Sequence, residues 1–258
     1  MNNLDKILQY LTTVMVKPVV VDDEEIFKPI EHIKLSPSFF LKDGCASCGC
    51  CCVPESNLYT DSEYIHLMDI TKHEVEEYGL DFSYIEKLRN GIRVEEHMIN
   101  GQIVNTYIYD LCNNYMYLPN KGKIVPRCSW VFEKSPGFFL CHIHPVRSIT
   151  CIMPHLRMMY NTKSKTTSIG NIQFGRNWAV KCPVTFNQPK DESEFNEIKK
   201  SRIDKLSHLN VVADDLGIQT YLPEIIAYVE SIPFDNYLNY LGKDILNLPT
   251  VHKSIRLF

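Results

Sequence analysis

No segment of this 258-residue chain holds the ~20 successive apolar residues that a membrane-spanning helix requires. Basic excess is missing too. Lys and Arg number 27 against 31 Asp and Glu, a net charge of −4, and no long Lys/Arg run offers a nucleic-acid footprint. The dinucleotide pattern G-x-G-x-x-G is absent, as are a phosphate-cradling G-x-x-x-x-G-K-S/T loop and the zinc-protease H-E-x-x-H. No C-x3-C-x2-C of the radical S-adenosylmethionine type occurs, and no Ser or Cys nucleophile stands in a recognisable local signature. Low-complexity tracts and internal repeats are lacking. The first residues, MNNLDKILQYLTTVMVKPVVVDDEE, set Asp5 against Lys6 and contain no continuous apolar stretch, so no secretory leader is expected. These absences point to the cytoplasm and away from membranes and nucleic acid.

What is present is an ordinary globular composition, 45% hydrophobic and 22% charged, on a chain long enough to fold by burial alone. Against that background the cysteines stand out. There are ten, and KDGCASCGCCCVP (42–54) places five of them within eight positions. Cytosolic disulfides are uncommon, and adjacent cysteines such as Cys50, Cys51 and Cys52 cannot bridge one another without strain. Exposed free thiols at that density would oxidise. Metal binding is the expectation that remains.

Cys45, Cys48 and Cys51 follow C-x2-C-x2-C. In ferredoxin-type loops this spacing brings three thiolates to one iron–sulfur cube, and a remote Cys-Pro supplies the fourth. Cys182-Pro183 has that form. Ala46, Ser47 and Gly49 leave room for backbone N–H groups near cluster sulfur. Cys52 points away from Cys51 in any extended or turning backbone, which suggests a ligand from another edge or a second site. Cys128, Cys141 and Cys151 are candidates to complete it. Four thiolates suit tetrahedral zinc equally well, so softness and spacing leave 4Fe–4S and zinc both open. Cys112 reads as a buried core thiol and Cys50 as a bystander. His142, His144 and His155 read as surface groups or supports to the thiols. Arg147, between Cys141 and Cys151, is a candidate charge partner for an anionic cluster or ligand.

Residues 45–52 match C-x-x-C-x-x-C-C. Downstream, Cys141-x-Ile143-x-x-x-Arg147-x-x-x-Cys151, with Pro154 following, is similar to C-x-I-Y-x-x-R-P-x-x-C-R. Together with Cys128 and Cys182-Pro183, these residues resemble the YkgJ-like cysteine-cluster family, taken to chelate zinc or iron. The resemblance spans roughly 40–185. His144, Ser148 and Ile152 depart from its usual Tyr, Pro and Arg. It implies a metal centre using Cys45, Cys48, Cys51, Cys52, Cys128, Cys141, Cys151 and Cys182. A relative with a similar cluster, flagellin lysine N-methylase, implies a further reading as an S-adenosylmethionine-dependent protein methylase, disfavoured by the missing nucleotide motif and the shorter chain.

The expected fold is α+β: a small strand- and loop-rich cysteine core surrounded by helices, with a helical C-terminal extension. The organisation reads as residues 1–39 (an amphipathic helix over 2–15 and a connecting segment), 40–185 (the cysteine domain) and 186–258 (helical). Segment 17–37, with three prolines, is expected to run over the surface. TDSE (60–63) and TKHE (71–74) are capping boxes that should open helices, with stops at Gly79 and Gly91. Asn100-Gly101 predicts a hairpin. Phe195, Ile198, Ile203, Leu206 and Leu209 share one helix face. LPEIIAYVESIP and FDNYLNYLG predict two further helices, the second ending at Gly242. The C-terminal helices are expected to cover the site or to dock a protein partner.

Overall fold

The structure is a computed structural model. It describes residues 4, 8, 19–21, 24–26, 32–42, 57–109, 114–118, 123–153, 156–161, 163–171 and 187–245. Cys45, Cys48, Cys50, Cys51, Cys52, Cys112, Cys182, His155 and Trp178 lie outside the described residues.

Helices and small sheets alternate along the chain, a mixed α+β architecture. Three short strands, β1 (Val19–Val21), β2 (Glu24–Ile26) and β3 (His32–Leu35), precede β4 (Asn57–Tyr59). Three helices follow: α1 (Asp61–Asp69), α2 (Lys72–Glu77) and α3 (Ser83–Asn90). Next come β5 (Arg93–Ile99), β6 (Gln102–Tyr109), β7 (Asn114–Leu118), β8 (Lys123–Arg127), β9 (Val131–Ser135) and β10 (Phe138–Cys141). A 3-10 turn (His144–Val146), α4 (Ile149–Ile152), β11 (Leu156–Asn161) and β12 (Thr166–Asn171) lead to the long α5 (Glu192–Asp215), α6 (Leu222–Ser231) and a final 3-10 segment (Phe234–Tyr240). No described helix is long and apolar enough to cross a membrane.

The local signals act as their chemistry requires. Glu63 reaches back to the Thr60 amide (3.0 Å), and Glu74 accepts from Thr71 N (2.7 Å) while Thr71 Oγ1 accepts from Glu74 N (3.3 Å), so both boxes close. Asn100 and Gly101 both take positive φ (52° and 76°), and Ile99 pairs with Gln102 across the two-residue turn. Gly79 leaves α2 with φ 69°. Of the N-terminal helix expected over 2–15, the described Leu4 and Leu8 are helical and buried.

Two expectations change. Segment 17–37 contributes strands rather than only a surface run. In β3, Ile33 and Leu35 are fully buried, and the strand pairs in parallel with β12 (Thr166↔His32 to Ile169↔Leu35). Pro37 lies beyond the end of β3, where a missing N–H costs no ladder bond. Residues 234–240 form a 3-10 segment kinked at Asn236 rather than an α-helix.

The sheet β2-β1-β5-β6-β4 separates two apolar cores. Side chains alternate faces along a strand. Thus Leu58, Val104 and Ile108 enter one core, while Tyr59, Tyr107 and Tyr109 enter the other. The first core gathers β3, β11, β12, α5 and α6, with an aromatic group of Phe39, Phe40, Phe195 and Tyr237. The residues from 195 on therefore share this core with the strands at 33–35 and 156–169. The second gathers α1 to α3, the β9–β10 hairpin, Cys128 and Cys141.

Candidate metal centre

The β9–β10 hairpin brings two of the expected ligands together. Val131 N donates to Cys128 O (3.2 Å), closing a turn at the first cysteine, and Cys141 pairs with Val131 across the hairpin. The 3-10 turn and α4 then fold the chain back. Cys151 N donates to Ser148 O (2.9 Å), and the Cys151 thiol reaches Asn57 Oδ1 (3.5 Å) at the start of β4. Cys128 is buried; Cys141 and Cys151 are half-buried. Crowding of protein atoms about the Cys151 sulfur pushes its thiol up to about 12, and the proximity of Cys141 and Cys128 adds to this against the Arg147 charge.

Tyr59 stands at the middle of this group. Burial holds its phenol well above the usual value, and Cys151, Glu63, Cys141 and Cys128 push the same way, in that order. Its hydroxyl is buried without a hydrogen-bond partner among the described residues. The Asn57 side-chain nitrogen, on the same strand face, is equally unpartnered, as is Trp130 Nε1, whose ring lies 5.0 Å from that of Tyr109. Tyr109 faces Asn57 across β4 and β6. Buried polar atoms normally find partners. Three polar groups without a partner among the described residues thus lie in the core that also gathers the thiols, and each could donate to an acceptor there.

That is the fit expected of a thiolate-ligated group, whose sulfur atoms accept hydrogen bonds from such a surround. Among the described residues no three Cys, His, Asp or Glu are arranged to hold a metal ion by themselves. Five of the eight expected ligands (Cys45, Cys48, Cys51, Cys52 and Cys182) lie outside those residues.

The neighbouring histidines take other roles. His142 is sandwiched between the rings of Tyr84 (3.6 Å) and Phe132 (4.1 Å). His144 is kept neutral, its imidazole brought down to about 4 by lost hydration and then by the Arg147 charge. Arg147 donates from Nε to His144 O (3.1 Å).

Sequence reasoning missed Asn57, Tyr59 and the second role of Glu63. Glu63 reads as a capping residue, but only one of its oxygens caps. Oε1 accepts from Ile149 N (2.7 Å) and from His208 Nε2 (2.6 Å), so one buried carboxylate joins α1, α4 and α5. The short alternating stretch Asn57-Leu58-Tyr59 was the available signal, and three residues are too few to stand out.

Comparison of the chain with family models, with curated proteins and with solved structures found no match. The likeness to the YkgJ-like family rests on the quoted residues alone.

Proposed function

We propose that this chain is a metal-binding protein carrying a cysteine-ligated cluster, iron–sulfur of the 4Fe–4S type, for electron transfer or cluster-assisted chemistry. Cys45, Cys48, Cys51 and Cys182 hold one cluster; Cys52, Cys128, Cys141 and Cys151 are associated ligands or a second site. The observation that carries this reading is the convergence of Cys128, Cys141 and Cys151 on one buried, unpartnered phenol.

Chain connectivity supports the same partition. Lys42 N donates to Asn187 O (2.7 Å) in an isolated bridge. In sequence, Cys45 is three residues beyond Lys42 and Cys182 five before Asn187. At the other end, Cys52 is five residues before Asn57, which touches Cys151. A cluster supplies a one-electron redox couple. The chain supplies the thiols, the Tyr59 and Asn57 donors, and an Arg147 charge that favours the more anionic state. Any protein partner docking on α5 and α6 would use their outer faces, because Phe195, Ile198, Leu206, Leu209, Ile225 and Val229 are in the core.

Metal and acid-labile sulfide analysis of anaerobically purified protein tests the proposal. Iron and sulfide in near-equal amounts, with broad visible absorbance, is the expected result. Colourless protein with stoichiometric zinc and no sulfide would replace it with a structural zinc site. Saturable binding of S-adenosylmethionine would favour the methylase reading instead.

A further inference from the structure

A cleft of about 210 Å³ opens between α1, the 3-10 turn and α5, lined by Ser62, Glu63, His66, Val146, Arg147 and His208. It is smaller than the ~300–1,000 Å³ of pockets for drug-sized ligands, so its occupant is small. The hydrogen-bonding capacity of its wall is uneven. Its acids are already engaged. Glu63 accepts from Thr60 N, Ile149 N and His208 Nε2. Asp215, behind Ser62, accepts from Thr60 Oγ1, from Ser62 N (3.0 Å) and from Ser62 Oγ (2.7 Å).

The donors are not engaged to the same degree. Arg147 places only Nε on a protein acceptor, the His144 carbonyl, and its two terminal nitrogens have no partner among the described residues. His66 is exposed at the rim, its ring likewise without a described hydrogen-bond partner. His208 is oriented by Glu63. In the neutral tautomer that donates to Glu63 from Nε2, Nδ1 is left as an acceptor. A planar guanidinium fork with free N–H groups recognises two oxygens of one anion. A neighbouring imidazole acceptor complements an O–H on the same ligand.

We infer that this cleft binds a small oxoanion that also carries a hydroxyl, either hydrogen phosphate or a short hydroxycarboxylate. Arg147 grips the anionic oxygens, His66 closes the rim, and His208, held by Glu63, accepts from the ligand hydroxyl. The cleft shares Arg147 with the proposed metal centre but uses none of its thiols.

Isothermal titration of the full chain with inorganic phosphate, glycolate and acetate tests it. Saturable binding of phosphate or glycolate is expected, and the tighter of the two identifies the source of the oxoanion. Acetate, lacking the hydroxyl, should bind severalfold more weakly than glycolate. Arg147→Gln should weaken binding by about tenfold or more, and Arg147→Lys, which keeps the charge but loses the fork, by an intermediate factor. His66→Gln, at an exposed position, should weaken it severalfold and serves if the Arg147 variants fail to fold by circular dichroism. Absence of saturable binding by both phosphate and glycolate would overturn the inference, and so would binding that is unchanged in folded Arg147→Gln or in His66→Gln.

Discussion

The two cores on either side of the β4–β6 sheet treat buried polar groups in opposite ways. In the first, Arg202 is wholly buried, yet its guanidinium donates to Phe39 O (2.9 Å) and Leu41 O (2.8 Å). Asn171 adds a donor to Leu41 O (2.8 Å), and Ser38 Oγ donates to Asn171 O (2.8 Å). Among the described residues of this core, Asn171 Oδ1 is the one buried side-chain atom without a partner. In the second, Tyr59, Asn57 and Trp130 each carry a buried group without a partner among the described residues, in the core that holds Cys128 and Cys141. Apart from Asn171 Oδ1, the first core satisfies its buried polar groups with protein partners. The proposed cluster would supply the partners in the second. The difference teaches where to look: a large desolvation penalty is tolerated only where a partner is supplied.

The comparison breaks most severely at Arg202. Arg202→Met removes charged hydrogen bonds to two carbonyls and should cost about 3 kcal/mol or more in urea unfolding, equally with and without metal. A metal-dependent cost would mean that the first core is not independent of the second. At the junction between the cores, Glu63→Gln disturbs three donors at once and should cost about 2 kcal/mol. A loss well below that would show the carboxylate to be dispensable to the joint between α1, α4 and α5.

Tyr59→Phe sharpens the contrast by its sign. In metal-free protein it deletes a buried hydroxyl with no partner, so stability should stay level or rise by up to about 1 kcal/mol. In loaded protein the same change should destabilise, because the hydroxyl then has a sulfur acceptor. Thermal unfolding of both forms reads the reversal; a loss in both would place an unseen protein partner on the phenol.

Smallest at neutral pH, where it vanishes, is a pH dependence centred on the Cys151 thiol. The Cys151 thiol rises from an ordinary 9.0 to about 12 in the fold. A raised folded value means stability is intact below pH 9 and declines as pH rises from about 9 to 12, where only the unfolded chain ionises. Metal-free protein should show that decline in denaturant midpoint, and Cys151→Ala should make it shallower, leaving the part due to the raised Tyr phenols.

The parts of this fold legible in the sequence are those that local chemistry decides. Thr60–Glu63, Thr71–Glu74 and Asn100-Gly101 act through neighbours in the chain, and each structure forms as the residues imply. The buried face of α5 follows from the spacing of Phe195, Ile198, Leu206 and Leu209. Arg202 stands on that face, four residues from Ile198 and from Leu206, but a cation there reads as polar until its two carbonyl partners are known. The parallel pairing of 32–35 with 166–169 joins residues more than a hundred positions apart, beyond any local pattern. At the candidate site the cysteine spacing was legible, whereas Asn57, Tyr59 and the Glu63–His208 pair were not. Their significance comes from what surrounds them in the fold.

The central claim is that the thiols of the second core complete a metal centre begun in residues 45–52. Iron and sulfide content of anaerobically purified Cys151→Ser, set beside Cys112→Ser, tests it most directly. The account predicts that Cys151→Ser loses iron and sulfide while Cys112→Ser retains the wild-type content. Full retention of iron and sulfide in Cys151→Ser, and again in Cys128→Ser and Cys141→Ser, would contradict it.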